Sequence, residues 1–321
     1  MAALEVLAGG FQTTVQDLGR DAYGAIGVPR GGAMDRFALR AANSCAGNAP
    51  GAAGLEALVG GLSMRFLPAC TISITGGDLD ARVNGDSVDL WTTTEMRAGS
   101  VLTFHGRQTG ARAYVAVKGG LAVPRALGSS STYLPGGWGG YNGRALRTGD
   151  MLDIFPDNGS VIRPGMWLPP EARPHYSAFP TLRCVLGPHL NLFLASTIAH
   201  FLHRDYVVSS ASDRMGYRLD GPALPPIHGA QLPSLGVLPG VVQAPPDGRP
   251  ILLMADAQTT GGYPIIATVI GADLPLAAQL LPGDRLRFQP VSLITAIAAA
   301  RAQHDALLSL GEDDEVRGVP I

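Results

Sequence analysis

The chain has 321 residues, a formal net charge of −2 and 16% charged residues, so no basic surface points to nucleic acid or an anionic membrane. Lys118 is the only lysine, which removes most Schiff-base and biotin-carrier chemistry. With 42 glycines and 25 prolines spread along the chain and 46% hydrophobic residues, the composition excludes disorder and predicts a mainly β globular protein with many tight turns.

The N-terminus (M-A-A-L-E-V-L-A-G-G) lacks the basic and apolar regions of a signal peptide. No apolar run reaches the roughly 18 residues of a membrane span. Cys45, Cys70 and Cys184 are odd in number and far apart, which suits free thiols in a reducing compartment rather than disulfides or a metal cluster. A cytoplasmic protein is expected.

In chain order, the first motif is Val15-Gln-Asp17-Leu-Gly-Arg20, followed by Tyr23 and Gly24. A helix is expected over 35–43, with Asp35 as N-cap and Gly47 near its end. Strands are expected over 70–74, 81–83, 101–104 and 113–117, with Asn84-Gly85 as a hairpin turn. The loop Gly128-Ser129-Ser-Ser131-Thr132, rich in hydroxyls and followed by four glycines around Trp138, can present backbone N–H groups to an anion. It lacks the Gly-Lys-Ser/Thr of a P-loop. A proline-rich stretch over 155–179 reads as the boundary between halves 1–160 and 161–321. Amphipathic helices are expected over 189–203 and 292–310, the second capped by Ser292.

Within the second half, Ser212-Asp213-Arg214-Met-Gly-Tyr217-Arg218 echoes the first motif, since both carry Asp, Arg, Gly and Tyr in a short span. An arginine fork there can hold a carboxylate or phosphate. The segment 250–264 combines an apolar strand, Ile251 to Ala255, with Asp256, Gln258, Thr259, Thr260 and Gly261-Gly262. Polar groups placed against a core need partners, and paired glycines admit a close neighbour. These residues are expected to floor a pocket between the halves. His200 and His203 stand at i and i+3 but lack a third ligand, so they read as the solvated end of a helix. No Gly-x-Ser-x-Gly elbow is present.

In this order the motifs resemble the carboxyltransferase-like family, also called the KipA or allophanate hydrolase subunit 2 family, which includes subunits of 5-oxoprolinase. The residues that carry it are 14–20, 32–35 with Ala42-Asn43, Leu55-Glu56, Gly119-Gly120, Gly128-Ser129 with Ser131-Thr132, Gly149-Asp150, 212–219 and 254–264. The resemblance implies two cyclophilin-like β-barrel halves with a few helices and a smaller KipI-like subunit 1 as partner. It implies ATP-dependent hydrolysis of 5-oxo-L-proline to L-glutamate within a complex, with ATP and Mg bound by this chain or together with the partner. Carboxyl transfer to urea- or allophanate-like amides, with biotin supplied by another protein, and a KipA-like regulatory role are the alternatives. On this reading Asp256, Asp213 and Arg214 are the expected catalytic residues. Arg20, Asp17, Tyr217, Gln258, Thr259, Thr260 and Ser131 are expected to bind substrate, and no metal ligand set is expected. Two positions depart from the family pattern: Ser130 stands where an arginine is usual, and Leu235 where an acidic residue is usual.

Overall fold

The computed structural model describes residues 3–156, 166–227 and 232–310. The boundary expected at 160/161 and Pro164 lie outside the described residues.

Strands up to residue 152 form two sheets. One orders Met151–Leu152, Leu4–Gly9, Leu62–Phe66, Val101–Phe104, Ala81–Val83 and Asp86–Ser87. The other orders Gln12–Gln16, Gly54–Leu58, Thr109–Val117, Cys70–Asp78 and Thr93–Met96. Their facing sides enclose a core that includes Val6, Met64, Leu102, Leu55, Ile74 and Val115. The period of two along Thr109–Val117 explains why this strand is apolar throughout. Ala113, Val115 and Val117 enter that core, whereas Tyr114 and Ala116 turn to helix α1, Arg36–Cys45, on the other side. Asp35 caps α1 as expected, its Oδ1 accepting from the Ala38 N–H at 2.9 Å. Asn84 and Gly85 both take positive φ, 53° and 93°, which is what a two-residue hairpin turn requires.

In the second half, seven strands close a barrel in the order Thr181–Leu186, Ile265–Val269, Val241–Gln243, Ile251–Leu253, Gly216–Asp220, Tyr206–Val208 and Arg285–Pro290. The last pairs parallel with the first. The mainly β architecture is therefore present. Only the second half closes its ladder among the described residues; in the first, α1 packs on the outer face of the five-stranded sheet and makes that half layered. Helix α2, Ala195–His203, is shorter than the periodicity suggests: a 3-10 turn at Leu190–Leu192 precedes it, and extended Leu194 begins it without a side-chain cap. Helix α3 is Leu274–Ala278, and α4 is Leu293–Leu308 with Ser292 as its cap. The strand expected over 251–255 ends at Leu253, since the backbone then turns to bond Met215 and Arg214 (Met254 N–H to Met215 O 3.0 Å, Asp256 N–H to Arg214 O 2.9 Å). No helix among the described residues is long and apolar enough to cross a membrane.

Candidate functional site

A buried polar network joins the two halves. Glu56 sits on a strand otherwise filled by Leu55, Ala57 and Leu58, so its carboxylate enters the interior. It accepts from the Met34 N–H at 2.8 Å and the Tyr114 hydroxyl at 2.7 Å, and from Arg214 Nη1. Arg214 donates its Nε to Asp256 Oδ2 at 2.9 Å and its Nη2 to the Gly32 carbonyl. Burial alone would weaken the hold of Arg214 on its proton, but Glu56 and Asp256 more than offset that and raise its pKa. Burial pushes the Asp256 carboxyl up, with Arg214 opposing. Arg112 lies 3.8 Å from Glu56 and donates to the Ala278 carbonyl and, at 3.3 Å, to the Tyr217 hydroxyl. Gln279 receives the Ala111 and Arg112 N–H groups, each at 2.8 Å, and donates to Asp35 Oδ2 at 3.0 Å. A network this buried is stable only when every member is satisfied.

The first motif folds against the same place. Asp17 accepts from the Gly19 N–H at 2.8 Å, the Ser129 hydroxyl at 2.6 Å, the Ser130 N–H at 2.6 Å and the Ser131 hydroxyl. The Gly/Ser loop does cradle an anion, but the anion is this internal carboxylate. Ser130 contributes its backbone, so the arginine usual there is not what holds the loop. The Ser131 carbonyl in turn accepts from Arg20 Nη2 at 2.7 Å, and the Arg20 guanidinium lies 4.4 Å from the centre of the Trp138 ring. Arg20 is 3% exposed, yet among the described residues its Nη1 has no partner. Burial lowers its pKa, with Asp17 and Asp256 opposing. A Cβ at Gly31 would stand 3.0 Å from Arg20 Nη1 and 3.5 Å from Asp256 Oδ1. A free donor and a carboxylate oxygen therefore border one small space that glycine leaves open.

Two clefts flank this centre. One, of about 520 Å³, is lined by Asp213, Arg214, Tyr217 and Asp256 together with Arg112. The other, of about 680 Å³, is lined by Arg20, Gln258, Thr259 and Thr260. Asp17 and Ser131 are buried and engage each other. Asp213 does not pair with Arg214: its exposed carboxylate accepts from the Met215 and Gly216 N–H groups and shapes the turn. Arg214, with every nitrogen engaged, positions Asp256 rather than offering a free fork. Gln258 donates to Gln243 Oε1 at 3.3 Å, and Gln243 Nε2 is buried without a partner among the described residues. Leu235 pairs with Gly261, edging the second cleft through Gly236. His203 Nδ1 lies 2.9 Å from the Ala199 carbonyl of its own helix. Burial raises the thiols of Cys45 and Cys70 to about 11 and that of Cys184 to about 12, which leaves them poor nucleophiles. Among the described residues no group of three or more His, Cys, Asp and Glu could hold a metal ion.

Glu56, Arg112, Tyr114 and Gln279 belong to the site although no expected catalytic or binding role falls on them, Glu56 standing only among the residues of the family resemblance. Glu56 and Arg112 are visible in the sequence as charges inside apolar strand runs, the signal that marks a buried pair. Tyr114 and Gln279 carry no such signal.

Asp35 gives the network a pH dependence. Its carboxyl is pushed up from 3.8 to about 6, mainly by burial, with bonds from Tyr176, Ala38 and Gln279 opposing. A folded-state value above the unfolded one means that the folded protein holds this proton more tightly. The stabilisation is fully present below the unfolded value and is lost as pH rises through 6. Relative to Asp35→Asn, the natural chain should lose about 2 kcal/mol of stability between pH 4 and 7. Urea unfolding of both proteins across that range measures it, and parallel pH curves would refute it.

A layered β part and a β-barrel part thus meet in a buried Glu–Arg–Asp network with clefts on either side. The family model described as carboxyltransferase domain, subdomain A and B, matches residues 26–290, and the chain belongs to that family. It is 40% identical over 302 residues to the C subunit of 5-oxoprolinase from Escherichia coli (strain K12), covering 94% of this chain and 95% of that relative. To the C subunit of 5-oxoprolinase from Haemophilus influenzae it is 35% identical over 298 residues, covering 93% and 94%. Among solved structures, urea amidolyase of K. lactis matches at 30% identity with a TM-score of 0.91, over 97% of this chain but 20% of that longer one.

Proposed function

We propose that this chain is one component of a cytoplasmic 5-oxoprolinase complex that opens the lactam of 5-oxo-L-proline to L-glutamate. The observation that carries the reading is the match to the C subunits of two 5-oxoprolinases over nearly the whole of both chains. Amide hydrolysis of this kind needs a substrate anchor and a group to manage the amide N–H. Arg20 Nη1 takes the substrate carboxylate, and Asp256 Oδ1, across the space at Gly31, accepts from the lactam N–H. Gln258, Thr259 and Thr260 supply hydrogen bonds along the cleft. Asp17 and Ser131 position Arg20, Arg214 and Glu56 position Asp256, and Tyr217 holds Arg112. Asp213 has no part in this chemistry.

The family resemblance adds ATP with Mg. The loop that could have cradled phosphate is filled by Asp17, so the residues of this chain do not form a nucleotide site there. We place the nucleotide on a partner of the KipI-like subunit 1 type. Co-purifying the chain with its partner subunits and measuring ADP release tests the whole. Turnover should require 5-oxoproline and every subunit, and urea with bicarbonate should elicit none. The structural likeness to urea amidolyase favours carboxyl transfer to a urea-type amide as second reading, and urea-dependent turnover that requires bicarbonate and an added biotin carboxylase and biotin carrier, without 5-oxoproline, would establish it instead.

A further inference from the structure

A separate cavity of about 290 Å³, near the roughly 300 Å³ lower end for small-molecule sites, opens where α1, α3 and α4 meet. Leu18, Met34, Phe37, Leu274, Pro275 and Leu307 give it apolar walls. Arg30, Arg36 and Arg40 line it as well, and among the described residues no carboxylate does. Arg30 is paired with Asp21. Arg36 and Arg40, one turn apart on the same face of α1, make no ion pair among the described residues. Like charges at this spacing repel, and the acids that act on Arg36, Asp21 and Asp17, do so without forming an ion pair with it among the described residues. Arg36 holds its proton less tightly than usual, its pKa falling to about 10 through burial and the neighbouring Arg30 and Arg40, with Asp21 and Asp17 opposing. A guanidinium fork suits a carboxylate, which would relieve both arginines at once.

We propose that this cavity binds a small amphipathic carboxylate, its head between Arg36 and Arg40 and its short apolar body against Phe37 and Leu307. The site stands apart from the proposed reaction and does not depend on it. It shares a wall with the Arg20–Asp256 centre, because Gly31 and Ala255 line it and the Gly31 N–H donates to the Ala255 carbonyl at 3.0 Å. Occupancy would therefore press on the backbone that spaces those two groups.

Calorimetric titration of the full chain with octanoate, acetate and octan-1-ol tests the proposal. Octanoate should saturate one site, with acetate and octan-1-ol each at least tenfold weaker, since each offers half of the recognition. Arg36→Gln combined with Arg40→Gln should weaken octanoate by at least tenfold, and Arg36→Lys, which keeps the charge but not the fork, by less. Non-saturable octanoate, octan-1-ol binding as tightly as octanoate, or an unchanged affinity in well-folded Arg40→Gln would overturn it.

Discussion

Replacing Arg214 by methionine should lower the free energy of unfolding by about 4 kcal/mol, a large part of a typical domain's stability. The side chain directly links Glu56 and Asp256, two carboxylates from different halves, both almost wholly buried. Removing the cation leaves both acids in the interior repelling each other, with Arg112, 3.8 Å from Glu56, as the nearby cation that remains. The cost lies in what remains rather than in the lost bonds, so the variant Glu56→Gln/Arg214→Met/Asp256→Asn should regain most of the stability. Urea unfolding of the natural chain and both variants measures this. A loss below about 1 kcal/mol in Arg214→Met would show that the network does not lock the halves.

Arg20→Gln should raise KM for 5-oxoproline by about 10- to 100-fold in the reconstituted complex, the value of one charged hydrogen bond. The reason is the unpartnered Nη1: the rest of the guanidinium is already held by the Ser131 carbonyl and the Trp138 ring. A buried donor left open beside a cleft is poised for a ligand acceptor. Gly31→Ala should act in the same direction, because its Cβ would stand 3.0 Å from Nη1 at a backbone φ of +63°. Thermal unfolding in parallel separates the two roles of Arg20, since its bond to Ser131 is structural. An unchanged KM in a folded Arg20→Gln complex would remove Arg20 from substrate binding.

Much of the site is legible in the sequence. The segment around Asp256 stands out because a carboxylate and an amide side chain end an apolar strand, and the two Asp/Arg/Gly/Tyr motifs point to Arg20 and Arg214. Both arginines do act on Asp256. Adjacency in the chain misleads. Asp213 precedes Arg214 but bonds its own turn, while Arg214 pairs with Glu56, 158 residues away. The Gly128–Thr132 loop has the composition of an anion cradle, and its occupant comes from 112 residues earlier.

Local sequence is enough for the mainly β character, the Asn84-Gly85 hairpin, the caps at Asp35 and Ser292 and the family. These rest on side-chain periodicity, turn conformations and residues within one helical turn. Long-range packing settles which acid meets which arginine, that one half stays layered while the other closes, and that Arg20 keeps a nitrogen free beside Asp256. Those outcomes depend on distances between residues far apart in the chain. Burial then amplifies each pairing, because an interior charge must be matched wherever its partner happens to lie.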